Sequence, residues 1–132
     1  MNSFKIGDTE FGIGDVQLSI EDGVINLEIT GSEEIFNELT GNDECRWSWA
    51  LYPPKIYFRN VPFDNEAIIV DEEFLDQYDI ALYMMEHNDF IGTLEVTDKN
   101  IHISGQAGIM GEISAVSINA ERAWRQSVIH TA

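Results

Sequence analysis

Cysteine is almost absent from this chain, whose 132 residues contain only one, Cys45. A single cysteine cannot form an intramolecular disulfide, and with three scattered histidines it cannot give the paired Cys/His spacing of a zinc site. No stretch approaches the roughly 18 consecutive apolar residues that a membrane span needs. The opening residues, MNSFKIGDTEFGIGD, lack the basic and apolar regions of a signal peptide. We therefore expect a cytoplasmic protein without a metal, cofactor or membrane contact.

Basic side chains are the second scarcity, because seven Lys and Arg stand against 24 Asp and Glu, which gives a net charge of −17. Nucleic acids and anionic membranes are bound through Lys and Arg, so both are disfavoured as direct ligands. The charge also exceeds the roughly 2–8 units that keep a small domain soluble. Self-repulsion at this level destabilises the compact state.

Apolar residues, by contrast, are plentiful at 44% of the chain, including seven Phe, four Tyr and three Trp. Disordered acidic segments lack this apolar content, so the chain is predicted to fold. Its length fits a single domain over residues 1–132, which can bury roughly two thirds of the surface of its unfolded form.

The clearest local pattern is DVQLSIEDGVINLEIT, residues 15–30. Apolar and polar residues alternate on both sides of Asp22-Gly23, a pair that favours the two-residue type I′ turn. This turn fixes the register of a hairpin and places the apolar pairs on one face. The predicted pairs are Glu21 with Val24, Ile20 with Ile25, Leu18 with Leu27, and Val16 with Ile29.

The rest of the chain reads as short strands with one or two helices. Ser32 can cap a helix over 32–41 that ends at Gly41. The other predicted elements are one or two short strands in 3–12, two strand-like runs around Pro53-Pro54, a helical turn near 71–78, a strand over 79–86, a hairpin over 92–105, a last strand over 113–120, and a short helix or frayed tail over 122–132. The sum predicts a mainly β, β-rich α+β domain: an antiparallel sandwich or small barrel of seven or eight short strands.

Catalytic patterns are weak. His87, His102 and His130 occupy polar, turn or tail positions, and no Gly-x-Ser-x-Gly nucleophile elbow is present. The Gly-rich stretches GDTEFGIGD and GQAGIMG fit neither a P-loop nor a dinucleotide-binding fingerprint, and no EF-hand loop occurs. With 24 acids, some pair of carboxylates always has glycosidase-like spacing, so that signal carries no specificity. We expect a protein that is not an enzyme.

The segment DNEAIIVDEEFLDQYD, residues 64–79, concentrates seven carboxylates, and eleven acids without one Lys or Arg lie between Asn60 and Asp98. Soluble proteins usually intersperse positive and negative side chains on their surface. Such a block can be merely a solvated face, but it also suits a cationic partner, because complementary fields speed encounter and suppress wrong partners. Phe63, Phe74 and Tyr78 lie nearby and can act as apolar anchors. The predicted partner-binding residues are Asp64, Glu66, Asp71, Glu72, Glu73, Phe74, Asp76, Tyr78 and Asp79.

In size, acidity, β-rich pattern and the 60–98 segment, the chain resembles bacterial immunity proteins. Such proteins neutralise a polymorphic or contact-dependent toxin by tight binding. The resemblance implies a cytoplasmic non-enzyme whose partner is the toxin domain of a larger secreted protein. The combination of acids and aromatic anchors favours a basic nuclease as that domain. In that case the acids would occupy the groove that otherwise holds phosphates. Because these proteins span many folds, it implies no particular set of site residues.

A second hypothesis starts from the aromatic stretch RWSWALYPPKIYFRNVPF, residues 46–63. A barrel or sandwich with an apolar mouth could carry a small hydrophobic ligand. The predicted lining residues are Trp47, Trp49, Tyr57 and Met84. A carboxylate-based enzyme ranks third.

Overall fold

The computed structural model describes residues 2–41 and 50–122 of the chain. These residues form two antiparallel β-sheets and two short helices, with no closed barrel. The predicted β-rich sandwich is therefore confirmed. The predictions that concern Cys45, Trp47, Trp49, His130 and the 122–132 tail lie outside the described residues, apart from Arg122 at the start of that tail.

Eleven strands and two helices occur in the described part of the chain. Their bounds are β1 (Ser3–Ile6), β2 (Thr9–Glu10), β3 (Asp15–Glu21), β4 (Val24–Thr30), α1 (Glu33–Thr40), β5 (Lys55–Pro62), β6 (Ile68–Val70), α2 (Glu72–Gln77), β7 (Asp79–Tyr83), β8 (His87–Asn88), β9 (Phe90–Val96), β10 (Asn100–Ile109) and β11 (Glu112–Glu121).

The strand count exceeds the predicted seven or eight because β2, β6 and β8 are only two or three residues long. Segments of that length cannot show the alternation from which a strand is predicted. Their pairing is decided by neighbouring strands that are distant in sequence. β6, for example, pairs with β9 through Ile69 opposite Thr93.

The two sheets face each other across one apolar core. The larger sheet has the order β2-β1-β11-β10-β9-β6 and the smaller one β3-β4-β5-β7-β8. Inward-facing residues of both sheets are fully buried, among them Phe4, Phe58 and Phe90. The Phe58 and Phe90 rings meet edge to face across the sandwich, with centroids 6.2 Å apart. Aromatic pairs prefer this arrangement.

The β3–β4 hairpin forms as predicted. Its register pairs Ile20 with Ile25 and Leu18 with Leu27, and the remaining two predicted pairs are also present. Asp22 and Gly23 both have positive φ, 53° and 74°. This is the backbone that a type I′ turn requires and that Asp-Gly tolerates. The local sequence therefore determines this hairpin.

A β-bulge in β5 shifts its pairing with β4. Ile25 lies opposite Val61, whereas Leu27 lies opposite Phe58, so β5 carries one extra residue. Asn60 adopts a φ of 53° at this point, and its backbone N–H donates to Oδ1 of Asn26 at 2.9 Å. The bulge lets Phe58 and Val61 both face the core.

Both helices have an N-terminal side-chain cap, of which the sequence analysis predicted the one at Ser32. Ser32 caps α1 by accepting from the Ile35 N–H at 3.3 Å, and Gly41 follows its last turn. Asp71 caps α2 by accepting from the Phe74 N–H at 2.9 Å. In chain order α2 connects β6 of the larger sheet to β7 of the smaller one. It therefore links the two sheets, and it contacts β6 of the larger sheet.

Candidate functional site

Helix α2 carries the middle of the predicted acidic segment. Glu72 and Glu73 lie in its first turn, where negative charge is favourable to the helix dipole, and no basic residue lies in its last turn. Tyr78 leaves the helix in an extended conformation, because β7 begins at Asp79. The same chemistry that makes α2 a stable helix therefore makes its surface negative.

All seven predicted carboxylates of the segment 64–79 are exposed. Among the described residues, only Asp79 of these seven forms an ion pair, with Arg59 at 3.2 Å. Asp64 accepts from the Glu66 N–H at 3.3 Å and so shapes the loop before β6. The negative charge at this side of the sandwich is therefore largely uncompensated.

The tip of the β3–β4 hairpin adds two acids that the sequence analysis did not assign to the site. The Phe63 N–H donates to the Gly23 carbonyl at 2.8 Å, which places Glu21 and Asp22 beside the loop that carries Asp64. Only the pairing of β4 with β5 brings these segments together. No local pattern in the sequence could have indicated it.

A first groove lies between that hairpin tip and α2. We call it the Phe74 groove, with a volume of about 480 Å³. Ile69, at 67% exposure, is a large apolar side chain left open to solvent among the acids. Phe63, predicted as an anchor, is only 8% exposed and belongs to the core, so it forms a wall of the groove and not an anchor. Six residues that line this groove are Gly23, Phe63, Asp64, Glu66, Ile69 and Phe74.

A second groove lies on the other side of α2, over the outer face of the smaller sheet. We call it the Tyr57 groove, with a volume of about 460 Å³. Its wall combines apolar and aromatic side chains with two carboxylates, which suits a long cationic side chain. Six of its lining residues are Tyr57, Arg59, Leu75, Tyr78, Asp79 and Asp89.

Tyr57 is the centre of this second groove and is only 4% exposed, although it lies outside the core cluster. Its hydroxyl is hydrogen-bonded to Nδ1 of His87 at 2.7 Å. The Arg59 guanidinium lies 3.8 Å above its ring and also pairs with Asp79. Burial raises the pKa of Tyr57 and the Asp79 carboxylate raises it further, while Arg59 opposes the change. The protein thus already holds one guanidinium between an aromatic face and a carboxylate.

The Phe74 and Tyr78 rings connect the two grooves. Their centroids are 4.7 Å apart, and both side chains are half-buried against the core. Each ring lines one groove, Phe74 the first and Tyr78 the second. Both predicted anchors are therefore partly buried against the core and partly open to a groove, as anchors at an interface are.

The remaining predicted residues take different positions. Asp64, Glu66 and Asp79 line the grooves, and Asp71 serves as the helix cap. Glu72, Glu73 and Asp76 are exposed on α2 and line neither groove. The structure therefore separates the segment into residues that line a groove and exposed acids that line neither groove.

We found no match to this chain among protein-family models, curated proteins or solved structures.

The described residues around the grooves offer little for metal binding or for catalysis by histidine. Within residues 2–41 and 50–122, no group of three or more His, Cys, Asp or Glu side chains could hold a metal ion. His87 is bonded to Tyr57 and lies against the Tyr83 ring, with centroids 4.9 Å apart. His102 is hydrogen-bonded to Asn119 on the outer face of the larger sheet. Both described histidines thus have structural partners.

The ligand-carrier hypothesis placed Tyr57 and Met84 in one pocket with Trp47 and Trp49. Met84 is 1% exposed within the core cluster, whereas Tyr57 is on the outer face of the sheet. These two side chains therefore do not share a pocket, because alternation sends them to opposite faces. In the part of the chain that the structure describes, no helix is long and apolar enough to cross a membrane.

Proposed function

We propose that this protein is an immunity protein that binds and neutralises a cationic toxin domain, with a nuclease as the first candidate. The observation that carries the proposal is the side of the sandwich around α2. There, exposed carboxylates surround two grooves and the half-buried Phe74–Tyr78 pair. A patch of one charge sign around apolar anchors is the anatomy of a specific interface with a partner of the opposite sign.

The exposed acids on α2 and the acids that line the grooves contribute to different steps of binding. Glu72, Glu73 and Asp76 on the outer surface of α2 attract the partner over roughly one Debye length, about 10 Å at 0.1 M salt. Such long-range attraction mainly raises the association rate. Acids that line the grooves make the direct contacts, and these govern dissociation. A nuclease suits this division because its cationic groove already binds a polyanion.

The Tyr57 groove indicates which side chain of the partner is the main anchor. Leu75 and Tyr78 can cover the aliphatic stem of an arginine, and Asp89 provides an exposed carboxylate for its guanidinium. The contact of the protein's own Arg59 with the Tyr57 ring and Asp79 supports this assignment, because it places a planar cation against the same wall. Arginine is preferred over lysine here because it stacks and forms bidentate bonds.

The test begins with the reading frame directly upstream, where we expect a secreted protein with a basic C-terminal domain. That domain is then co-expressed with this chain. Growth should be restored, and the Kd should weaken sharply with salt. The double variant Glu72→Lys/Glu73→Lys should weaken binding about tenfold or more, chiefly through slower association. Its matched control is Glu33→Lys/Glu34→Lys, because those acids occupy the same first-turn positions of α1 and their reversal perturbs a helix dipole equally.

Equal weakening by both double variants would mean that only net charge matters and would remove the assigned site. Unchanged affinity in the α2 variant would do the same. A Tyr78→Ala variant tests the aromatic anchor apart from the electrostatic attraction, because it changes no charge. It should speed dissociation and leave the salt dependence of association intact.

A further inference from the structure

Strand β3 forms one edge of the smaller sheet and is much longer than the other edge strands. In the described part of the chain, the edge strands of the two sheets are β2, β6, β3 and β8. β2 and β8 have two residues each and β6 has three, whereas β3 has seven, Asp15–Glu21. A short edge leaves little backbone for another strand to pair with. The sandwich therefore limits pairing at its other edges and leaves the β3 edge open to it.

The free side of β3 presents a row of backbone groups without partners. At the two-residue turn, Glu21 and Val24 form a hydrogen-bonded pair, and bonded residues alternate along antiparallel strands. The backbone N–H and C=O groups of Val16, Leu18 and Ile20 therefore point away from β4. In residues 2–41 and 50–122 these groups have no hydrogen-bond partner on that side. Each of the three residues can donate one bond to an added strand and accept one from it.

The usual devices that protect an edge strand do not occur within β3. Natural edges carry Lys, Pro, a β-bulge or an inward-pointing charge. The sequence of β3, DVQLSIE, contains no Lys or Pro, and its register with β4 is continuous over all seven residues. The side chains on its inner face are all apolar: Val16, Leu18 and Ile20. β3 is thus suited to strand addition.

The core is also incompletely covered at this edge. Leu18 and Ile20 are half-buried, whereas Leu27 and Ile25, which lie opposite them on β4, are 2% and 0% exposed. The inward side chains of an added strand would lie beside those of Leu18 and Ile20. A strand with apolar residues at alternate positions would therefore bury more of both side chains.

The charges on the outer face of β3 indicate which kind of strand fits. Asp15 and Glu21 lie at its two ends with neutral side chains between them, and residues 15–30 contain no Lys or Arg. If two copies of β3 paired antiparallel around Leu18, Asp15 of one copy would lie opposite Glu21 of the other. Like charges directly opposite each other are destabilising, so self-pairing is disfavoured. A strand with Lys or Arg at these positions instead forms a favourable pair with each acid.

We infer that β3 is the docking edge for an extended, basic segment of a partner protein, which adds one strand to the smaller sheet. The segment alternates Lys or Arg on the outer face with apolar residues on the inner face. Such strand addition gains affinity from main-chain hydrogen bonds and specificity from the alternate side chains. The inference does not rest on the proposed function, because strands pair through their backbones whatever the partner does. Failure of a toxin domain to bind the acidic side would therefore leave it standing.

The test is amide hydrogen exchange of the full chain, followed residue by residue by NMR. In the free protein the amides of Val16, Leu18 and Ile20 should exchange fast, whereas those of Gln17 and Ser19 should be protected by β4. The probe is a peptide with blocked ends in which Lys and Val alternate, Lys-Val-Lys-Val-Lys-Val-Lys. It should slow exchange of the three edge amides about tenfold or more at about 20 mM NaCl, where exposed charges are little screened. The corresponding Glu-Val peptide should not.

Two matched variants separate pairing at this edge from attraction by the whole acidic protein. Ser19→Lys places a cation in the middle of the outer face of β3. It should weaken binding of the Lys-Val peptide about threefold or more, because it lies opposite a Lys of the peptide. Ser104→Lys is the control, since Ser104 is also exposed but lies on β10, a central strand of the larger sheet. Both variants change the net charge equally, so weaker overall attraction would appear in both.

Several results would overturn the inference. Slow exchange of the Val16, Leu18 and Ile20 amides in the free protein would mean that the edge is already covered. The cover would be this chain itself if the protection is independent of protein concentration, and a second copy if it rises with concentration. No protection by the Lys-Val peptide, or equal protection by the Glu-Val peptide, would exclude a basic strand. Equal weakening by Ser19→Lys and Ser104→Lys would leave net charge as the cause of binding.

Discussion

Two glycines on one strand provide a sharp test of the packing described above. Gly105 of β10 lies directly opposite Gly92 of β9. A Cβ added at Gly105 would lie 2.2 Å from the Ile91 carbonyl oxygen and 2.7 Å from the Gly92 Cα. These are backbone atoms, which cannot move aside without separating the strands. Gly108, three residues further on, has open space around its Cβ position.

The expected energies follow from that difference. Gly105→Ala overpacks the sheet, which costs about 1–3 kcal/mol in well-packed proteins, and the rigid backbone contact places it at the upper end. Gly108→Ala introduces no clash, and its φ is not in the left-handed region. It reduces the freedom of the unfolded chain and should stabilise the fold by about 0.5 kcal/mol. The two variants should therefore differ in unfolding free energy by about 2.5–3.5 kcal/mol.

Urea unfolding followed by circular dichroism measures this difference, with the slope of the transition as a check on two-state behaviour. In thermal unfolding the Gly105→Ala variant should melt about 5–10 °C lower than the wild type. Gly92→Ala serves as a second probe, because its Cβ would lie 2.2 Å from the Ser104 carbonyl oxygen. Equal stabilities of the Gly105 and Gly108 variants would refute the close approach of β9 and β10.

Three further predictions concern single side chains. Asp71→Ala should cost about 1 kcal/mol in urea unfolding, because Asp71 caps α2 through the Phe74 N–H, whereas Asp71→Asn should cost much less. Burial raises the pKa of Glu10, but hydrogen bonds from Ser3, Phe4 and Gly12 lower it more. The unfolding free energy of the wild type should therefore exceed that of Glu10→Gln by a full margin above pH 4.5, and the margin should vanish as pH falls through the folded pKa. Burial raises the pKa of Tyr57, so in an ultraviolet titration the absorbance change that Tyr57→Phe removes should lie above pH 10. Loss of an absorbance change at or below pH 10 would contradict the burial of Tyr57.

Much of the local structure could be predicted from the sequence, because short-range patterns determine it. The Asp22-Gly23 turn fixes the register of β3 and β4, and Ser32 and Asp71 fix the starts of both helices. Alternation identified which residues of the second hairpin face the core, such as Leu94 and Ile103. These features depend on neighbours a few residues apart, where little chain entropy opposes their contact.

The candidate site was only partly predictable. The exposed acids of 64–79 follow directly from their charge, since unpaired carboxylates remain in water. Which of these acids line a groove and which do not could not be predicted, because it depends on β6 and β7 lying in different sheets. The same holds for Tyr57, which the sequence pattern cannot distinguish from a core aromatic.

The sequence by itself determined the charge of this protein, its β3–β4 and β9–β10 hairpins, the N-cap of α1 and the core-facing residues of those two hairpins. Only the tertiary structure decided which strands are neighbours, as when Phe4 of β1 pairs with Ile118 of β11 near the other end of the chain. Alternation gives each strand two faces but says nothing of the strand beside it. Pairing of distant segments therefore decided the acidic side around α2, which the β3–β4 tip joins through the pairing of β4 with β5.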